Sequence, residues 1–329
     1  MAEGTLDTPP SRAKLFAGFA AVYVLWGSTY LAIRFGVETI PPFLMAGTRH
    51  LTAGLLLYLW VRARGETRPA VAHWRNASLL GGLMLLGGNG LVTWAEQRVP
   101  SGLAALIVAS VPIWMSLLEA IEKRARPSAA AVAGLLLGLA GIALLVAPGR
   151  FAGSGHVDPL GAVALVTAAL SWSFGSLLSR RISLPASTLT ATAMEMITGG
   201  LWLWAAGLVF GEGSRLNPAS VSLRSALSLG YLIVAGSLVG FSAYVWLLRV
   251  STPARVSTYA YVNPIVAVLL GAVLAGEAVT PRVALAALVI IGAVASIIRF
   301  GPRSEASPGG EVVPAIGFER EPGIRSQMR

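Results

Sequence analysis

The chain has 329 residues, 55% of them hydrophobic and only 12% charged, with a mean hydropathy of +0.71 and no cysteine. Soluble domains carry about a quarter of their residues as charge, so a water-soluble enzyme is excluded, and so are disulfides, thiolate chemistry and cysteine-ligated metals. The net charge of +10 comes without an aromatic-interleaved basic patch, so it reads as membrane topology and contact with anionic lipid rather than as a nucleic-acid surface.

Apolar runs bounded by charge, Gly or Pro fall at about 15–33, 43–61, 77–94, 101–121, 128–147, 159–178, 189–210, 226–247, 254–274 and 283–300. Each is long enough to cross a bilayer as a helix at 1.5 Å per residue, and continuous apolar runs lack the alternation of a membrane β-barrel. The first run ends at Arg34 rather than at a small-residue cleavage site, so it reads as a helix and not a signal peptide. The expected fold is therefore an all-α polytopic membrane protein of ten transmembrane helices. Arg12, Lys14, Arg62, Arg64, Arg68, Arg75, Lys123, Arg124, Arg126, Arg180, Arg181, Arg249, Arg255, Arg299 and Arg303 fall on one side of this arrangement, and only Arg34, Arg98, Arg150, Arg215, Arg224 and Arg282 on the other. By the positive-inside rule both termini are cytoplasmic. The expected divisions are a cytoplasmic tail at 1–14, a first five-helix unit at 15–147, a periplasmic linker at 148–158, a second unit at 159–300 and a disordered cytoplasmic tail at 301–329.

In chain order, helix one carries Tyr23 and, at mid-depth, Trp26; helix two carries Arg49 and His50; helix three carries Asn89 among Gly87, Gly88 and Gly90. Glu96, Glu119 and Glu122 fall toward different ends of helix four, which also contains Pro112. Helix five presents Gly134, Gly138 and Gly141, a small-residue packing surface; the chain is expected to be a monomer, with a homodimer through this face as the alternative. Trp172 is the mid-depth tryptophan of helix six, and Glu195 lies within helix seven. Helix eight has Gly236 and Gly240, which suit helix sliding, and Tyr244; helix nine has Tyr259, Tyr261, Asn263 and Pro264. Tyr259 and Tyr261 cannot share a helical face, so at most one points inward.

Tyr23, Trp26, Asn89, Trp172, Tyr244, Tyr259 and Asn263 are the substrate-pathway candidates, because indole, phenol and amide groups at mid-depth suit a small amphipathic solute. Asn263 has a competing structural role, repairing the backbone interrupted by Pro264. Pro112 and Pro264 each remove an intrahelical hydrogen bond and are the kink or gating candidates. Arg49, His50 and Glu195 are the intramembrane ionisable or coupling candidates, since a charge facing lipid costs about 2.5–3.5 kcal/mol even on the lenient insertion scale. Arg49 and Glu195 each sit about 10 Å below opposite surfaces, which leaves about 10 Å between their levels for long side chains to bridge. His50, His73 and His156 make no ligand cluster, and neither a metal nor another cofactor is expected.

An internal duplication underlies the order of these residues. Trp26 and Trp172 are 146 apart; Val99-Pro100-Ser101-Gly102 followed by Pro112 resembles Val250-Ser251-Thr252-Pro253 followed by Pro264; Gly138 and Gly292 align at an offset of 154. Five crossings per unit is an odd number, so the second unit enters the bilayer from the opposite side, and inverted repeats supply two exchangeable conformations around a midplane cavity. No His-Asp or metal-spacing partner supports catalysis by the glutamates, no filter signature supports a channel, and no GxxxxGK[ST] supports direct use of ATP. A secondary carrier remains, coupled to protons through Glu195 or running as uncoupled exchange.

Leu25-Trp26-Gly27-Ser28-Thr29, Arg49, Pro112 and Glu119-Ala120, then Trp172, Glu195, Asn263-Pro264 and Gly276-Glu277, together resemble the ten-helix EamA family of the drug/metabolite transporter superfamily over nearly 15–300. The resemblance implies helices one, three, four, six, eight and nine around a central cavity, with five and ten peripheral. It implies an inner-membrane exporter of amino acids or related metabolites, with aromatic amino-acid exporters as the nearest analogy. Glu119 and Glu277 would hold helix-end or gate positions. A drug or polyamine exporter, or an uncoupled metabolite facilitator, is the alternative; the dense cationic site of sugar-phosphate carriers is missing. The partners expected are a small-molecule substrate and membrane lipid.

Overall fold

The computed structural model describes residues 11–124, 129–146, 158–251, 253–256 and 258–300. Residues 1–10 of the expected tail at 1–14, the expected tail at 301–329, nearly all of the 148–158 linker, and His156 lie outside the described residues. Ten long helices run through the rest: α1 (Arg12–Gly36), α2 (Pro42–Ala63), α3 (Val71–Ala95), α4 (Ser101–Glu122), α5 (Ala129–Val146), α6 (Pro159–Leu178), α7 (Thr188–Val209), α8 (Leu223–Val250), α9 (Tyr259–Ala275) and α10 (Pro281–Phe300). By length and composition α1, α3, α4, α6 and α8 are each long and apolar enough to cross a membrane. The apolar stretches described in α5, α9 and α10 are shorter.

Local chemistry sets the helix ends. Ser11, Asp158, Ser187 and Ser222 accept from backbone N–H groups of the first turns of α1, α6, α7 and α8, and Pro42 and Pro159 occupy first-turn positions where a missing N–H costs nothing. Gly65, Gly211 and Gly276 stand at φ of 84°, 72° and 64°, left-handed turns that end α2, α7 and α9. In each case the next residue is a glutamate, and it reaches across to the start of another helix. Glu66 accepts from the hydroxyls of Ser187 (2.7 Å) and Thr190 (2.6 Å) at the start of α7. Glu212 accepts from the backbone N–H of Phe43 (3.3 Å) and Leu44 (2.9 Å) at the start of α2. Glu277 accepts from Ser101 N and Oγ (both 2.8 Å) and Gly102 N (3.0 Å) at the start of α4. A carboxylate at a helix N-terminus satisfies orphan donors and meets the positive end of the dipole.

The packing repeats itself between the halves. α2 lies against α7, and α5 against α10; α3 meets α6 as α8 meets α1, and α4 meets α6 as α9 meets α1. The α2–α7 contact is backbone to backbone: a Cβ on Gly200 would stand 2.7 Å from Leu51 N, so no larger residue fits without moving a helix. α5 and α10 pack chiefly on each other, at the edge of the bundle. The small-residue face of α5 is filled within the chain, Gly138 by Ile113 and Gly141 by Ile290.

Pro112 and Pro264 act differently. α4 breaks at Ala109–Ser110, immediately before the segment that starts at Val111-Pro112, whereas Pro264 lies inside an uninterrupted α9. Wider π-helical turns at Ala21–Leu25, Gly81–Gly90 and Leu232–Phe241 widen α1, α3 and α8 where they border the interior.

Candidate functional site: a central aromatic cavity

Trp26 of α1 and Trp172 of α6 turn inward and meet edge to face, ring centroids 5.5 Å apart. Tyr244 and Tyr259 complete the cluster, at 4.8 and 5.5 Å from the Trp26 ring. These rings adjoin a cavity that encloses about 640 Å³ including the space at its mouth, with a lining that includes Trp26, Arg49, Asn89, Trp172, Phe241, Tyr259 and Asn263. The wall is drawn from α1, α2, α3, α4, α6, α8 and α9. The six helices expected around a cavity all contribute, and α2 joins them through Arg49 and His50. Hydrogen bonds hold the rings in place: Trp26 Nε1 donates to Gly236 O (3.1 Å), and Trp172 Nε1 to the Tyr244 hydroxyl (3.0 Å), which also pairs with Ser176 Oγ (2.8 Å).

A polar chain lines the same cavity. Arg49 Nε donates to Ser237 Oγ (2.8 Å), and Ser237 Oγ lies 3.4 Å from His50 Nδ1. Ser237 Oγ thus links the two side chains, and His50 Nε2 pairs with Asn89 Oδ1 at 3.2 Å. Arg49 is 3% exposed, yet its Nη1 has no hydrogen-bond partner. A buried donor of this kind, on a charged group, is the cavity's strongest unmet demand.

The remaining candidates divide. Asn263 lines the cavity while its amide, in the orientation that satisfies both contacts, donates to Tyr259 O (3.3 Å) and Tyr23 O (3.0 Å), tying α9 to α1. Tyr23 does not line the cavity; its hydroxyl pairs with Thr258. Tyr244 is fully buried behind the two indoles. Glu195 is not in this cavity at all. It lines a separate one with Met84, Val245, Leu248 and Arg249, so the expected bridge between Arg49 and Glu195 does not form. Glu96 is a further correction: it follows the last residue of α3 rather than lying in the fourth helix, and both its carboxylate oxygens are buried without a hydrogen-bond partner. Arg34 donates to its backbone oxygen (2.7 Å). Glu119 is a surface residue paired with Lys123 at 3.0 Å.

Ser237 and the glycines facing the site escaped sequence reasoning. A Cβ on Gly236 would lie 2.6 Å from Arg49 Nη2, one on Gly240 2.6 Å from Trp26 Nε1, and one on Gly88 2.9 Å from Trp172 Cε3. The glycines that looked like a sliding surface on α8 make room for the site's own side chains. The signal was present in the sequence as glycines on the third and eighth helices at the levels of Asn89 and Arg49, but only their neighbours reveal what they accommodate.

A helical membrane bundle with a lined interior cavity can hold a small solute within the membrane. The chain belongs to the EamA-like transporter family, whose sequence profile matches it twice, over residues 14–147 and 159–299. Membership places it among transporters, not enzymes. It is 43% identical over 284 residues to the uncharacterized inner membrane transporter YedA of Escherichia coli (strain K12), covering 85% of this chain and 89% of that protein. The uncharacterized transporter YvbV of Bacillus subtilis (strain 168) is 25% identical over 306 residues, 91% of this chain and 94% of its own length. A solved crystal structure superposes with a TM-score of 0.62 over 87% of this chain and 98% of its own at 22% identity, a likeness of fold.

Proposed function

We propose that the chain is a secondary transporter of the bacterial inner membrane that exports amino acids or related small amphipathic metabolites by alternating access. The observation that carries this reading is the central cavity, where Arg49 Nη1 is a buried cationic donor without a partner beside a wall of Trp26, Trp172, Phe241 and Tyr259. A ligand carboxylate would meet Arg49, its apolar or aromatic body would lie against the rings, and the Asn89 amide nitrogen would take a second acceptor. An unpaired buried charge is costly, and a carboxylate ligand offsets that cost while bound.

Ten membrane crossings in two inverted five-helix repeats follow from the same reading. The family profile matches each half once, the helix contacts repeat between halves, and Glu66 and Glu212, 146 residues apart, each reach the first turn of a helix in the other half. An odd number of crossings per half then inverts one against the other, which supplies the two exchangeable shapes of the pathway. Both termini are assigned to the cytoplasm by the Lys and Arg distribution.

Purified protein in proteoliposomes should accelerate flux of an amphipathic amino acid such as L-phenylalanine, measured with and without an imposed proton gradient. Absence of protein-dependent flux across a panel of amino acids and related carboxylates, with folding verified, rejects the substrate class. A gradient-independent rate identifies a facilitator or exchanger rather than a proton-coupled carrier.

A further inference from the structure

The cavity that contains Glu195 opens at the helix ends that bear Arg180 and Arg249, and encloses about 990 Å³ including the space at its mouth. It is distinct from the central cavity. Along α3, Leu85 faces the central space while its neighbour Met84 faces this one; along α8, Phe241 belongs to the first and Val245 to the second. Between them lies the hydrogen-bonded set of Trp172, Tyr244 and Ser176.

Inside this second cavity the polar groups are unevenly satisfied. Arg249, the cation beside it, has its guanidinium committed: Nη1 donates to Ala186 O (2.7 Å) and Nη2 to Pro185 O (3.1 Å), so it braces the connection between α6 and α7. It makes no ion pair with Glu195 within 4 Å. Glu195 is 2% exposed and its Oε1 has no partner. Met84, Val245 and Leu248 supply buried apolar walls around this acceptor. The group that matches an unmet carboxylate among apolar walls is a compact cation with several donors, a protonated primary amine.

We propose that Glu195 is the ammonium-binding group of a second ligand site, near the cytoplasmic end, for small molecules that carry a primary amine and an apolar body. Such an amine belongs either to an organic cation or to an amino-acid zwitterion, whose carboxylate would then face the exposed Arg180 at the mouth. The zwitterion case rests on the transport reading above; the amine case does not.

The test is equilibrium binding to the full chain in lipid nanodiscs, without gradient or flux, using phenethylamine, L-phenylalanine and hydrocinnamate. Phenethylamine should bind saturably, and Glu195→Gln should weaken it about tenfold through loss of the charge-assisted bond. Ala186→Trp, at an exposed position on the mouth, should block the same binding with Glu195 intact and decides the matter if the first variant does not fold. Hydrocinnamate, lacking the amine, should show no Glu195-dependent binding. Tighter Glu195-dependent binding of L-phenylalanine than of phenethylamine identifies the zwitterion; the reverse order identifies the cation. Absence of saturable phenethylamine binding, or binding unaffected by a folded variant, overturns the site. Failure of amino-acid flux in proteoliposomes leaves this result standing, so the two proposals fail separately.

Discussion

Arg49 and Glu195 stand 146 residues apart, in places that the proposed duplication makes equivalent, yet their surroundings differ. Arg49 is held by Ser237 and faces an aromatic interior cavity, whereas Glu195 faces a separate space near the helix ends and has no ion-pair partner there. Under the proposed duplication, equivalent positions do not share an environment. When two related halves pack in one asymmetric conformation, equivalent residues come to rest at different points of the pathway, and each meets different neighbours. The difference teaches that a charge pair drawn by repeat symmetry need not be a contact.

Substitution at Arg49 puts the largest strain on this contrast. Arg49→Gln should weaken binding of a carboxylate ligand by about a hundredfold, since truncating a buried charged partner costs about 2–5 kcal/mol; Arg49→Lys should recover part of it because the charge survives without the planar fork. Equal losses of one carboxylate ligand in Arg49→Gln and Glu195→Gln would show that the two cavities act as one site. Next in size is Gly200→Ala, whose methyl group would meet the α2 backbone at Leu51. Forcing that helix contact apart should lower stability by about 1–3 kcal/mol, read as a lower midpoint of thermal unfolding in detergent.

Trp172→Phe keeps an aromatic ring but removes the donor to Tyr244, so it should cost about 1 kcal/mol in stability and loosen the division between the cavities. Cysteine placed at Ser176 in this cysteine-free chain should then be labelled faster by a small thiol reagent in the Phe background. Glu277→Gln removes the charge at the start of α4 while keeping an acceptor, and should lower stability by about 0.5–1 kcal/mol in the same thermal assay. The smallest effect belongs to Glu119→Gln: its partner Lys123 is more than half exposed, so the change in unfolding midpoint should correspond to less than about 0.5 kcal/mol.

The helices were legible because hydropathy is local. A run such as 159–178 announces itself without reference to any other part of the chain, and α6 spans Pro159–Leu178. The inward tryptophans were legible for a related reason, since Trp26 and Trp172 sit in mid-run, away from the interface where tryptophan collects. Glu96 was misplaced because sequence shows a carboxylate near a helix boundary and cannot show that neighbouring helices close over it. Tyr23 was drawn into the site by its chemistry and spacing alone, while its hydroxyl turned to Thr258.

By itself the sequence determined that this protein lives in a bilayer as bundled helices, roughly where those helices run, and most of the polar groups that lie within them. These follow from composition and from backbone hydrogen bonding, which lipid forces to be satisfied within each helix. Only the tertiary structure decided that Arg49 meets Ser237, that Gly236 and Gly240 yield space to Arg49 and Trp26, and that Glu195 stands apart. Those outcomes depend on the rotation and depth of helices some 190 residues apart in the chain, settled by close packing across the bundle rather than by any local pattern.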